Sequence, residues 1–310
     1  MDTPSYQPGQ RIILGPYECD IEQQFGQSDA YLCRTQSHEK PLVLKYLPYV
    51  RGHDQGADTG RHRVLLAQRA FFLFKQVRSS LVAAGIPDMV FCDDVHQLVE
   101  YVPGDAISEG KDYSLQDIQS ILLRIIDRVS ALMEHGLVHG DLKTENVITS
   151  REDDLSISPT TTPIDFNLMG EAGGSPGVLD DSIMGTPYFM PSEQVCGRYY
   201  PTSDVFTTGM IALDTLANSS NYGVNFFEVH KDYDILHDLL AGHAYHTWIQ
   251  PDARPYLEKT LFSQKDIDTR LARGIIDFFF ACTRHNPKDR PQNGEEMRQI
   301  LTDTGNITEI

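Results

Sequence analysis

Short runs that alternate apolar and polar residues dominate the first hundred positions: IILGPYECDI, DAYLC and PLVLKYL, separated by turn-rich segments. Period-two alternation marks strands with one buried face, so each run predicts strand. A stretch from Arg61 to Val82 interrupts the pattern with helical spacing, and VFCDDVHQLVEYV returns to it as two further strands. Beyond Pro103 and Gly104 the period changes. Leu115, Ile118, Leu122, Ile125, Val129 and Leu132 recur at helical spacing; Ser114 and Asp117 form a capping pair at the start, and Gly136 stops the run. The pattern predicts an α+β chain in two lobes, a small β-rich one with one main helix at 16–102 and a larger helical one at 103–310, after an N-terminal extension at 1–15.

After that helix, LVHGDLKTENVIT and PIDFNLMG are two apolar, strand-like pieces separated by a polar stretch. They read as a hairpin that displays Asp141 and Asp165 near each other. Mg²⁺ takes oxygen ligands and keeps substrate phosphates in its shell, which suits Asn146 and Asp165 as ligands of a metal–nucleotide complex. Asp141 is then the acceptor for a hydroxyl proton, and Lys143 screens charge on the transferred group. Asp141 and Asn146 also read as turn formers that bond their own backbone. That reading does not require a second carboxylate on the following strand.

The formal charge of −18 opposes broad, sequence-independent attraction to nucleic acid or an anionic membrane surface. The five cysteines lie far apart with no C-x-x-C pair, which fits small core residues in a reducing compartment better than a disulfide or zinc framework. No run of eighteen apolar residues and no leader-like start occur, so a soluble, cytoplasmic chain without membrane insertion is expected. His237, His243 and His246 form no metal-ligand pattern.

HGDLKTENV resembles the catalytic loop of the eukaryotic-like (Hanks-type) serine/threonine protein kinases, and IDFNL resembles their metal-binding D-F-G segment. LVLK is similar to their lysine strand, LVEYVPG to their hinge, GTPYFMPSE to the end of their activation segment, SDVFTTGM to the helix after it, and NPKDRP to their late arginine motif. The resemblance runs in family order over about residues 16 to 302 and implies a bilobal protein-kinase-like fold of a compact, bacterial-like type. It implies ATP and Mg²⁺ as cofactors, with Lys45 on the α and β phosphates and Gly26, Glu100 and Val102 among the nucleotide-binding positions. It further implies Asp141 as base, Lys143 near the γ phosphate, Asn146 and Asp165 as Mg²⁺ ligands, a structural Glu193–Arg290 pair, and Asp204 bracing the catalytic loop. His139 is architectural in this pattern.

The chain departs from the family in four places. QQFGQSDAYLC offers Gly26 alone where three glycines are expected, with Ser28 and Asp29 beside it. Arg51 to Val99 holds no glutamate to pair with Lys45, and Gln68 is the candidate for that place. Gly140 replaces the arginine that clamps a phosphorylated segment, which weakens the case for control through Ser175, Ser182 or Thr186. Asn167 replaces the glycine of D-F-G. Active phosphoryl transfer to protein serine/threonine hydroxyls, with autophosphorylation, is the leading expectation. A pseudokinase or nucleotide-binding module with little turnover, and a small-molecule kinase, remain as competing readings. The segment from Asn218 to Gln264 reads as a docking insert.

Overall fold

A computed structural model of the chain describes residues 6–25, 30–47, 57–109, 112–150, 161–174, 185–229 and 249–303. The chain divides into two compact units: Met1–Val102 with Phe166–Met169, and Pro103–Asp165 with Gly170–Ile310.

The first unit is built on a six-stranded antiparallel sheet. Its strands are β1 (Arg11–Leu14), β2 (Tyr17–Gln24), β3 (Ala30–Thr35), β4 (His38–Tyr46), β5 (Met89–Cys92) and β6 (His96–Glu100), in the order β1-β2-β3-β4-β6-β5. The alternation seen in the sequence becomes its core: Cys19, Ile21, Tyr31, Cys33, Leu42, Leu44 and Leu98 are buried together. Register fixes which side chains face away. Lys45 pairs with Ala30 and Gln97, one step out of phase with buried Leu42 and Leu44, so it projects from the opposite face. Helix α1 (Ala57–Ala83) starts earlier than the periodicity suggests and buries Ala67, Ala70, Leu73, Phe74 and Leu81. Arg78 on α1 grips buried Asp88 through Nε–Oδ1 (2.7 Å) and a second Nη2–Oδ2 contact, tying the helix to the start of β5.

The second unit is helical. The long α2 (Leu115–Glu134) starts on the capping box read from the sequence: Ser114 Oγ accepts from Asp117 N and the Asp117 carboxylate accepts from Ser114 N. It packs with α4 (Ser203–Asn218), α7 (Thr269–Cys282) and α8 (Gly294–Thr302) around one apolar core. Shorter helices α3 (Ser192–Val195), α5 (Phe226–Val229) and α6 (Ala253–Phe262) complete it. Short strands β7 (Asp105–Ala106), β8 (Leu137–Val138), β9 (Val147–Thr149), β10 (Thr162–Pro163) and β11 (Gly170–Glu171) form two small sheets, ordered β10-β9-β7 and β11-β8. The expected hairpin is the antiparallel β9–β10 pair, with Thr162 opposite Ile148.

Part of the segment expected to dock partners is instead structural. Val224, Val229, Leu257 and Leu261 lie in the apolar core, and Gln264 Nε2 donates to Tyr222 O at 2.7 Å. Residues 230–248, with His237, His243 and His246, lie outside the described residues. All five cysteines are free; Cys196 is exposed rather than packed in a core. Burial pushes the Cys92 thiol up to about 12, and that of Cys282 above its ordinary value, so both stay protonated at neutral pH.

Glu193 and Arg290 form a buried, two-point ion pair, Nη1–Oε1 2.5 Å and Nη2–Oε2 3.0 Å. Arg290 also donates to the carbonyls of Thr202, Arg284 and His285, and Ser203 Oγ donates to Glu193 Oε1. These bonds join α3, the entry to α4 and the turn before α8. Removing one partner leaves the other charged in a dry site, so Glu193→Ala is expected to lower stability by about 3–5 kcal/mol. Urea denaturation with an unchanged slope checks this, and a loss under about 1 kcal/mol contradicts it.

Candidate active site

The HGDLKTENV stretch leaves β8 and turns through a short 3₁₀ segment, Thr144–Asn146, into β9. Its path is set from below by Asp204, in the first turn of α4: His139 N donates to Oδ2 at 2.6 Å and Gly140 N to Oδ1 at 3.3 Å. Asp204 is almost fully buried. Desolvation raises its carboxyl above the usual range, while the two backbone donors and His139 pull in the other direction. The His139 ring is equally committed. Nδ1 accepts from Asp141 N (3.3 Å) and Nε2 lies 3.0 Å from Ile164 O; a carbonyl can only accept, so Nε2 carries the proton. The architectural role of His139 thus has a geometry: it ties the loop to the end of β10. Gly140 adopts φ +81°, a conformation that costs glycine nothing and that other residues seldom adopt.

Asp141, Lys143 and Asn146 converge. Lys143 Nζ lies 3.4 Å from Asp141 Oδ2, and Asn146 Nδ2 donates to Asp141 O (2.9 Å) and Oδ2 (3.2 Å). The network contains a member that sequence reasoning treated only as a phosphorylation candidate. Thr186 Oγ1 donates to Asp141 Oδ1 at 2.8 Å and accepts from Lys143 Nζ at 2.8 Å. A hydroxyl both donates and accepts, so one side chain serves the acid and the base together. Two further residues were missed. Gln194 Nε2 donates to Gly140 O at 2.6 Å, and Thr144 Oγ1 donates to Asp214 Oδ2 at 2.6 Å, anchoring the loop to α4. Asp214 lies nearly three turns after Asp204 on that helix. Helical periodicity brings the two acids to nearby faces, but motif reading stops at the first.

Asp165 follows directly on Ile164, whose N–H donates to Asn146 O at 2.8 Å. Asp165 carries φ +63°, so the left-handed residue of IDFNL is the aspartate itself; Asn167 lies within the 3₁₀ turn Phe166–Leu168 and needs no glycine-like freedom. Buried Phe166 and its turn pack against α1 in the first unit. The donor set fits Mg²⁺. Among the described residues no cluster of three His, Cys, Asp or Glu could hold a metal, and the Asn146 amide nitrogen is committed to Asp141, so Oδ1 is the Asn146 atom that would face a cation. One carboxylate oxygen and one amide oxygen suit an ion that completes its shell with water and phosphate oxygens.

In the first unit, Glu100 ends β6 with its side chain paired to Lys40, while its N–H donates to Asp88 O at 2.8 Å. Tyr101 N donates to Pro41 O, so this hinge-like stretch up to Val102 is anchored through backbone bonds. The Gln68 amide nitrogen donates to Asp94 Oδ1 at 2.8 Å. Gly26, with Ser28 and Asp29, lies outside the described residues, as do Ser175 and Ser182.

Near Thr186, the rings of Tyr188, Phe226 and Phe227 meet edge to face, with centroids 5.7–6.3 Å apart. Tyr188 and Phe227 remain 38% and 51% exposed, an apolar surface next to the Asp141 network.

The protein kinase domain family matches residues 26–303. The chain is 32% identical over 154 residues to calcium-dependent protein kinase 7 of Oryza sativa subsp. japonica, covering 48% of this chain and 26% of that protein. It is 27% identical over 205 residues to calcium-dependent protein kinase 5 of Arabidopsis thaliana, covering 63% and 35%. Similarity to serine/threonine-protein kinase shk1/pak1 of Schizosaccharomyces pombe is 25% over 203 residues, covering 65% and 25%. These matches span about a third or less of each relative.

Asp214 offers a pH test. Burial raises its carboxyl, so the folded state holds the proton more tightly than the unfolded chain does. That term favours folding below the unfolded value near 3.9 and is lost as pH rises through the folded value. An amide oxygen still accepts from Thr144, so Asp214→Asn is expected to gain stability relative to wild type as pH is raised from about 3.5 to 7. Thermal melts across that range check it; a constant difference contradicts it.

Proposed function

The chain belongs to the protein kinase domain family, and from that premise we propose that it transfers the γ-phosphoryl group of ATP to serine and threonine hydroxyls of protein substrates, itself included. The observation that carries this is the closed network of Asp141, Lys143, Asn146 and Thr186.

Asp141 is the general base. Its Oδ1 already accepts a threonine hydroxyl, so the geometry for an alcohol O–H is present at that atom. An acceptor hydroxyl of the substrate takes the same kind of bond and loses its proton to the carboxylate as it attacks. Lys143, held by Asp141 and Thr186, offers its ammonium to charge on the transferred group. Asn146 fixes the base through its amide nitrogen and keeps its oxygen for a cation, with Asp165 as the second ligand. Mg²⁺, when bound, supplies charge neutralisation at the phosphates. We assign Lys45, Gly26, Glu100 and Val102 to holding the nucleotide. The segment ending in Glu193, braced by Arg290, with exposed Tyr188 beside Thr186, is suited to a peptide rather than a metabolite. No helix among the described residues is long and apolar enough to cross a membrane, and all five cysteines are free; we place the protein in the cytoplasm.

A second reading, a nucleotide-binding module without turnover, draws on Gln68. It stands where the family carries a glutamate, and its amide nitrogen donates to Asp94 Oδ1. Both readings predict that ATP with Mg²⁺ raises the melting temperature, and only the first predicts transfer. Incubation with labelled ATP and a generic protein substrate should give incorporation that Asp165→Asn reduces about 10²–10³-fold. Equal incorporation by wild type and variant, both folded, would falsify the kinase assignment. In the same assay Thr186→Val should lower kcat by about tenfold or more, because Asp141 and Lys143 lose their shared hydroxyl. A Thr186→Ser variant should restore most of it.

A further inference from the structure

We infer that Gln194 is a positioning residue for the base. Its side-chain amide clamps the peptide plane that leads into Asp141 and couples it to the segment that carries Thr186. The inference rests on the reading of Asp141 as general base.

Gly140 O and Asp141 N belong to one planar peptide unit. Gln194 Nε2 donates to the oxygen edge of that plane at 2.6 Å, and the nitrogen edge donates to His139 Nδ1 at 3.3 Å. A plane held at both edges cannot rotate, and its rotation is what swings the Asp141 Cα and carboxylate away from Thr186 and Lys143. The assignment of the amide nitrogen is forced, because a carbonyl oxygen accepts only. Gln194 is itself 4% exposed, so water does not substitute for it at that oxygen.

The other side of the clamp is Gly185. It adopts φ +126°, and a Cβ on it would lie 2.7 Å from Gln194 Nε2 and 2.6 Å from Met190 Sδ. The bare glycine lets the amide nitrogen sit against the residue before Thr186 while bonding the residue before Asp141. Thr186 and Asp141 then meet at 2.8 Å. The base of the clamp is rigid, since neighbouring Glu193 is pinned by Arg290. The fold of the substrate-facing segment is thereby transmitted to the carboxylate through one side chain.

The test uses the full chain with Gln194→Met and Gln194→Glu. Methionine keeps the bulk and removes the donor; kcat should fall about 10- to 100-fold while the ATP KM stays within about twofold. Glutamate supplies a carboxylate when ionised, which repels the Gly140 oxygen, and an O–H donor when protonated. Its kcat relative to wild type should therefore rise as pH is lowered from about 8 to 6, a response that a bulk-packing role does not produce. A methionine variant with kcat within about threefold of wild type, together with a flat ratio for the glutamate variant, overturns the inference. Hydrogen exchange of the peptide spanning His139 to Leu142 reads the clamp without turnover. Faster exchange in either variant than in wild type supports it, and equal exchange overturns it. An inactive wild type whose exchange still responds to Gln194 counts against the kinase reading and leaves the clamp standing.

Discussion

A single buried carboxylate organises the second unit. Asp204 sits in the first turn of α4, where the helix N-terminus favours negative charge, and it accepts from two consecutive amides of the catalytic loop. Burial of such a group is unfavourable unless each oxygen is satisfied, so the loop and the acid hold each other in place. His139 then extends the order outwards, one ring nitrogen to Asp141 N and the other to Ile164 O. The consequence is that Asp141 and Asp165 are positioned by one chain of bonds that starts in the helical core.

Much of this was legible from residue patterns, and the reason is physical. Alternation along β4 placed Lys45 on a strand, and period and capping placed α2 with its start at Ser114, because local burial and local hydrogen bonds are written in nearby residues. The grouping of Asp141, Lys143 and Asn146 was legible because they lie within six residues of one another. Thr186, Gln194 and Asp214 were not. Each reaches the loop from 43 to 70 positions away, through a hydroxyl, an amide or a carboxylate that also serves well on an ordinary surface. Gln68 has a bond of the same kind: its amide nitrogen donates to Asp94, in the turn between β5 and β6, a pairing in space that no local pattern contains.

The substitution of glycine at position 140 changes meaning once its surroundings are known. As a letter it signals a missing arginine. In the structure it is the residue whose N–H faces Asp204, whose carbonyl faces Gln194 and whose φ is +81°. The backbone conformation suits glycine, and both polar groups are satisfied by buried side chains. The loop backbone at this point is ordered by groups the chain already contains.

The same construction recurs at the second aspartate. Ile164 precedes Asp165 as Gly140 precedes Asp141, and both of its backbone groups are also taken: its N–H by Asn146 O, its carbonyl by His139. A residue held at donor and acceptor transmits a fixed direction to the next Cα. Asp165 can therefore persist at φ +63°, a conformation that costs a non-glycine residue on the order of 1–3 kcal/mol and survives only where its surroundings over-determine it. The strain falls on a carboxylate proposed to meet a cation, and the bonds that sustain it run through Asn146, the other proposed ligand. The proposed ligands and the backbone geometry thus rest on the same few residues: the aspartate carries the unusual φ, while Asn167, in the position a glycine would occupy, adopts an ordinary helical turn.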